Sequence, residues 1–440
     1  MADFYYPQSK AYGPAYFMML SLSYKFFDFG ILQTRLPGLI FGFVIAITGF
    51  KILKSSGVNE KFCSLFAVVL LLDPIFLQNI HSGRMDSMAL MFTFLGILLL
   101  IQGLKKQDWL NFIGVGISFG IALLTTPRVA VSIIGPSIAL AFFFLFNPSK
   151  KLIFLYLFSV FLVVGLYSIW AFWAFGGFPE WYQYLFGQPK VKIEFNSMAD
   201  RYISGNFYVP IFQIPALITV LLTIVYLFTY KRLFTSFIVF SSMMNMLAFF
   251  ILVKDTGIYS IFSMPFEYLI IIFGVNELFK NIRLSKISYL IIVSLIFLNG
   301  TIFLFKNTMI LAYSSSRNSV PVLAQISKVI PKGSRVIGEE IYFYMVHKAG
   351  SEFQYLDRGA DSPNRRNYHE QVFDYQYVIS RNPPASMAEF NYYNATGKFK
   401  KVAKICTPQP SKLLISFRAF LAGLGFYFPT GYEGTIYLRQ

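Results

Sequence analysis

Ten stretches of this chain are apolar over the length that a bilayer demands, and they account for most of the residues before position 306. A hydrocarbon core about 30 Å thick needs about 20 apolar residues in a helix. Runs of that kind occupy approximately 33–53, 62–80, 86–104, 110–126, 129–147, 152–175, 208–230, 234–253, 258–279 and 287–305, with Lys pairs or Pro and Gly at the breaks. Only 13% of the 440 residues are charged, about half the share usual in a soluble domain. Lipid rather than water is the main solvent. The expectation is a polytopic α-helical membrane protein with about ten transmembrane helices in residues 1–305. Ala15–Phe29 is apolar but short and carries Lys25 and Asp28, so it reads as an interfacial or re-entrant segment. Met1–Gly13 has no apolar core of a signal peptide, and the first span is expected to act as its own insertion signal.

The basic residues give an orientation. One set of alternate loops holds Lys51, Lys54, Lys61, Lys105, Lys106, Lys150, Lys151, Lys231, Arg232, Lys280, Arg283 and Lys286, twelve in all. The other set holds six: Arg84, Arg128, Lys190, Lys192, Arg201 and Lys254. The excess of Lys and Arg on cytoplasmic loops places the first set inside. Both termini and the long loop from Gly176 to Tyr208 then lie outside. This distribution also explains the formal charge of +17 without nucleic acid as a partner. Cys63 and Cys406 are the two cysteines, too few for a disulfide framework or a Cys-rich metal site.

From Lys306 onward the character changes, with 17 basic and 9 acidic residues, several prolines and short β-rich runs at Ser334–Gly338, Tyr375–Ser380, Phe399–Ile405 and Gly434–Arg439. The amphipathic stretch Val320–Val329 precedes a strand near Arg335, and Ile341–Lys348 follows it. Residues 306–440 therefore read as a small soluble α/β domain on the extracytoplasmic side.

Ionisable groups near the outer ends of the spans are the candidates for chemistry. His81, Arg84 and Asp86 share one short loop, Arg128 follows Thr125-Thr126-Pro127, and Lys254-Asp255 precede Tyr259. Arg84 and Asp86 are either an ordinary helix-start pair or part of a site. Arg128, Lys254, Lys190, Lys192 and Arg201 are either loop cations or a set able to clamp a phosphate. Trp181, Tyr182 and Tyr184 either stack on a sugar or anchor in headgroups. Asp73-Pro74, inside an apolar run, is either a kink partner or a site residue. No P-loop, GxGxxG, HExxH or GxSxG pattern occurs, and the histidines are far apart. A divalent metal is left open.

Tyr12-Gly13-Pro14-Ala15-Tyr16-Phe17, followed by Arg35-Leu36-Pro37-Gly38-Leu39, resembles segments of GT-C membrane glycosyltransferases. Gly83-Arg84-Met85-Asp86-Ser87-Met88-Ala89 resembles the segment that opens a later span in the same group, which includes protein mannosyltransferase-like and aminoarabinose-transferase-like enzymes. The resemblance covers almost the whole chain through short motifs, their order and the topology. It implies a polyprenyl-phosphate sugar as donor, an extracytoplasmic lipid, glycan or protein as acceptor, and a carboxylate to deprotonate that acceptor. The family's first span and acidic outer loop have no counterpart here. Asp3 is the acidic residue near the expected place, with Asp86 the other candidate, so the resemblance implies a truncated start or an inactive member. Two rival readings stand beside the enzyme: a transporter or flippase, which would call for midplane charges, broken helices or inverted repeats that the sequence does not show clearly, and a non-catalytic membrane scaffold.

Overall fold

The computed structural model describes residues 13–146, 149–181, 220, 221, 223–225, 236–252, 260–280, 285–355, 375–381, 399–408, 410–423 and 431–440. It contains two compact units, one of Gln8–Leu304 and one that includes Phe305–Gln440. The first is helical. Its described helices are α1 (Pro14–Phe27), α2 (Ile31–Ser55), α3 (Glu60–Leu72), α4 (Pro74–His81), α5 (Asp86–Lys106), α6 (Trp109–Thr125), α7 (Ala130–Phe146), α8 (Lys150–Phe175), α9 (Phe237–Leu252) and α10 (Met264–Phe279), and α11 (Ser285–Ala312) begins in it and runs on into the second.

Among the described residues, six helical segments are long and apolar enough to cross a membrane, and the bent pair α3–α4 makes a seventh. α6 and Phe237–Phe249 are shorter apolar helices. Nine of the ten expected spans thus coincide with described helices, while 208–230 lies almost wholly outside the described residues. The chain is an integral membrane protein. α10 belongs to the interior of the bundle: 89% of the apolar window in Ser260–Phe279 is buried, against 17% for α8 and 18% for α11. The two exposed helices turn Ile169, Phe172, Trp173, Phe297 and Leu304 outward, toward lipid. Ala15–Phe29 becomes α1, whose Phe17, Met18, Leu22, Phe26 and Phe27 are exposed.

Helices surrounded by lipid gain little by hiding apolar surface from one another, so close packing and hydrogen bonds hold them together. Gly38 and Gly42, one turn apart on α2, let α4 approach. A Cβ at Gly38 would stand 2.2 Å from the Ile80 carbonyl oxygen, and one at Gly42 2.5 Å from Ile80 Cδ1.

The expected continuous span at 62–80 is instead broken, with α3 and α4 meeting at 65°. The cause is local. Pro74 lacks the N–H needed to continue the helix and stands at the first position of α4, where no such donor is required. Asp73 ends α3 and caps α4, its Oδ1 accepting from the backbone N–H groups of Ile75 and Phe76 at 2.8 and 2.9 Å. A broken helix is therefore present, although the sequence did not show one clearly.

The second unit carries α12 (Ser319–Val329), β1 (Arg335–Gly338), α13 (Phe343–Lys348), β2 (Glu352–Tyr355), β3 (Tyr377–Ser380), β4 (Phe399–Ile405), α14 (Lys412–Gly423) and β5 (Gly434–Arg439). The sheet order is β2-β1-β3-β5-β4. β1 runs parallel to β2 and β3, and β5 runs antiparallel to β3 and β4. Val322 and Ile326 of α12 and Met345 and Val346 of α13 form one core with Val336, Ile379, Ile405 and Ile436 of the strands. β2 and α14 were not anticipated from the sequence.

Candidate functional site

Polar contacts define the two ends of the helical unit. Lys105 Nζ donates to the carbonyl of Ser55, joining the ends of α5 and α2. The backbone N–H of Asn59 donates to Asn276 Oδ1 at 3.1 Å, joining the start of α3 to the last turns of α10. The opposite end therefore collects the starts of α2, α5 and α10. Ser132 Oγ donates to the Phe262 carbonyl at 3.2 Å, which brings the start of α7 to the same end. Gly83–Asp86, Thr125–Arg128 and Ser260–Glu267 all lie there.

The turn before α5 is built around a charge pair. Gly83 adopts a φ of +71°, a conformation that side chains disfavour, and its carbonyl accepts from the Tyr16 hydroxyl of α1. Ser87 Oγ donates to the Arg84 carbonyl at 3.2 Å. Arg84 Nε donates to Asp86 Oδ2 at 2.7 Å; the Asp86 side chain is 1% exposed and that of Arg84 35%. Asp86 Oδ1 is buried with no hydrogen-bond partner among the described residues. Asp86 is also the first residue of α5, where the helix end favours negative charge. The helix-start pair and the partly exposed cation are thus one arrangement.

A second network reaches the same end from the interior. Tyr268 Oη donates to Asp73 Oδ2 at 2.7 Å, and Asn299 Nδ2 donates to Tyr268 Oη at 2.9 Å and to the Val69 carbonyl at 3.4 Å. Beside Tyr268, the half-buried Glu267 accepts from Ser263 Oγ at 2.7 Å. Sequence reasoning did not single out Ser263, Glu267, Tyr268 or Asn299. The signal was present, because Ser263 and Glu267 are four residues apart, which places both on one helix face. A carboxylate in the apolar run 258–279 was itself costly enough to notice.

Of the other expected site residues, Arg128 is exposed in the turn Pro127–Val129, and His81 is the exposed last residue of α4. Trp181 Nε1 donates to Tyr167 Oη at 3.3 Å. The Trp181 ring lies edge-on to Tyr167 and Phe178, with centroids 5.9 and 5.2 Å away. Its edges are thereby engaged in an aromatic cluster. Asp3, Tyr12, Tyr182, Lys190, Lys192, Arg201, Lys254 and Tyr259 lie outside the described residues. Among the described residues, no group of three or more His, Cys, Asp or Glu side chains is arranged to hold a metal ion.

The fold has known counterparts. ArnT from Cupriavidus metallidurans, in a crystal structure bound to undecaprenyl phosphate, superposes with a TM-score of 0.55 at 11% identity, covering 97% of this chain and 88% of that one. The Archaeoglobus fulgidus oligosaccharyltransferase, in a complex with zinc and sulfate, gives a TM-score of 0.53 at 11% identity over 84% of this chain and 59% of that one. No curated protein sequence matches the chain. The helical bundle and the small mixed sheet thus share the fold of these two membrane proteins. Residues 10–173 match the family model described as dolichyl-phosphate-mannose-protein mannosyltransferase.

Proposed function

We propose that the chain moves a sugar from a polyprenyl-phosphate carrier to an extracytoplasmic acceptor, at the end of the bundle where Arg84, Arg128 and Glu267 lie. The observation that carries this reading is the Arg84–Asp86 pair. A buried carboxylate engages Nε, and the guanidinium stands at a half-exposed position. A guanidinium has five N–H donors in a rigid fork, so a fixed Nε aims the group toward phosphate oxygens. The match to ArnT, whose structure holds undecaprenyl phosphate, supports a lipid phosphate as the anion.

In the transfer, the bond from the anomeric carbon to the carrier phosphate breaks and one to an acceptor oxygen forms. Negative charge grows on the departing phosphate, where preorganised cations stabilise it; Arg84 and Arg128 are assigned that role, with Lys190, Lys192, Arg201 and Lys254 as the further cations the sequence offers. The acceptor proton passes to a carboxylate. Asp86, buried against Arg84, serves as a positioning residue, and the half-buried Glu267 is the base. The C-terminal unit and this end of the bundle then face the extracytoplasmic side, as the loop charges direct.

A transfer assay in membranes with radiolabelled polyprenyl-phosphate sugars tests the reading. Transfer by the parent chain that falls at least tenfold in both Arg84→Lys and Glu267→Gln supports it. Transfer unchanged in both variants removes these residues from the site, and no transfer from any donor favours the transporter or scaffold readings.

A further inference from the structure

The C-terminal unit contains a cleft of about 370 Å³ with a cationic lining, in which Arg381, Lys404 and Arg418 are accompanied, among the described residues, by one carboxylate, that of Glu433. Three separate elements deliver the cations. Arg381 directly follows β3 and is held by Glu339: its backbone N–H donates to Glu339 Oε1 at 2.9 Å, and its Nε lies 3.4 Å from Glu339 Oε2. Lys404 is exposed on β4. Arg418 comes from α14 and lies over the ring of Tyr313, 5.6 Å from its centroid. Ser316 and Thr435 contribute hydroxyls to the lining, and Gly431 and Gly434 contribute backbone without side chains.

A second observation points to a ligand. Tyr313 lines the cleft and is only 5% exposed, yet its hydroxyl has no hydrogen-bond partner among the described residues. Buried polar groups in folded proteins are nearly always partnered. The hydroxyl of a phenol whose ring lies under a guanidinium is a ready donor to an anionic oxygen. Like charges do not gather around one cavity without cost, and a doubly charged anion offsets that cost most effectively.

We propose that this cleft binds a phosphate-bearing molecule, with Lys404, Arg418 and Arg381 neutralising the phosphate oxygens and Tyr313 donating to one of them. Arginine forks match phosphate geometry directly. The site lies in the C-terminal unit and does not depend on the transferase reading. Its ligand is either a soluble sugar phosphate or the headgroup of an anionic phospholipid, which share this chemistry.

The test uses the full chain in nanodiscs. Titration with glucose 6-phosphate in phosphatidylcholine discs reads the soluble source, and retention of phosphatidylglycerol from mixed discs, followed by native mass spectrometry, reads the headgroup. Saturable binding of either probe is expected, weakened at least tenfold by Lys404→Gln and by Arg418→Gln and about threefold by Tyr313→Phe, with an affinity that falls as salt is added. Protection of Lys404 from acylation by the bound probe examines the same site in the unsubstituted chain. Failure of both probes to bind, binding unchanged in the Lys404 and Arg418 variants, or Lys404 reactivity unaffected by a bound probe would overturn the proposal.

Discussion

The hydroxyl of Tyr268 donates to the carboxylate of Asp73 at 2.7 Å across 195 positions of sequence, tying the interior helix α10 to the break between α3 and α4. Both groups are buried, so each serves as the other's replacement for water. Tyr268→Phe leaves Asp73 Oδ2 without this donor and removes the oxygen that Asn299 approaches at 2.9 Å. The expected loss is about 1–3 kcal/mol, read as a lower midpoint of thermal unfolding in detergent. Asp73→Ala, which also removes the cap of α4, should lose about 1 kcal/mol more.

Arg84 behaves differently from an isolated surface cation because its partner is buried. Arg84→Ala should abolish transfer and also destabilise the chain by about 1–3 kcal/mol, since it strands the Asp86 charge at a site where Arg84 is 35% exposed and water screens part of the cost. The double variant Arg84→Ala with Asp86→Asn should regain most of the stability and none of the activity. Unfolding midpoints and transfer rates of the three chains together separate the two roles.

Tyr342 gives the C-terminal unit an alkaline limit. Its hydroxyl donates to the Glu433 carbonyl at 2.6 Å, and burial pushes its pKa above the ordinary value of 10.0. A pKa raised on folding means that the unfolded chain releases the proton first. The stabilisation is complete below pH 10 and declines as the pH rises from there toward the folded value. Tyr342→Phe should cost about 1 kcal/mol at neutral pH and flatten the fall in stability above pH 10, as measured by denaturant unfolding at stepped pH.

Gly434 tests the same contact from the other side. A Cβ there would stand 2.2 Å from Tyr342 Oη and 3.3 Å from the Ser380 carbonyl, so Gly434→Ala should destabilise the sheet by about 1–3 kcal/mol. Combining it with Tyr342→Phe should cost less than the sum of the two changes, because the second removes the atom that the first collides with.

Cys406 reports orientation without any engineering. It is exposed in the C-terminal unit, whereas Cys63 is buried in α3. A membrane-impermeant maleimide applied to intact cells should label the chain, and Cys406→Ser should abolish the labelling. Labelling that appears only after the cells are opened would place the C-terminal unit inside and reverse the proposed topology.

The spans were legible because each is a continuous statement about solvent, about twenty residues with almost no charge. The break at Asp73 was less so: Asp-Pro in an apolar run fits either a kink or a new helix start, and the deciding contacts come from Ile75, Phe76 and the distant Tyr268. Arg84 and Asp86 could be marked as candidates because they are neighbours in sequence. Glu267 could be placed in its span but not beside them, because the packing of the Ser260–Phe262 turn against α4 and α5 is a long-range contact that the sequence does not announce. In the C-terminal unit, β4 and β5 carried their own β-branched and aromatic runs. Glu352-Phe353-Gln354-Tyr355 is too short and too polar to read as a strand until β1 is laid beside it.

The eight residues of α4 form a rod about 12 Å long at 1.5 Å per residue. One end is fastened at Asp73, and the other leads within a few residues to Arg84. A tilt of about 10° at the fastened end would therefore swing the far end by about 2 Å on that length, a displacement large enough to spoil a hydrogen bond to phosphate. Accuracy in the proposed transfer is then a question of leverage: substitutions around Tyr268 and Asn299, deep among the helices, can re-aim the arginine while leaving every residue near it unchanged.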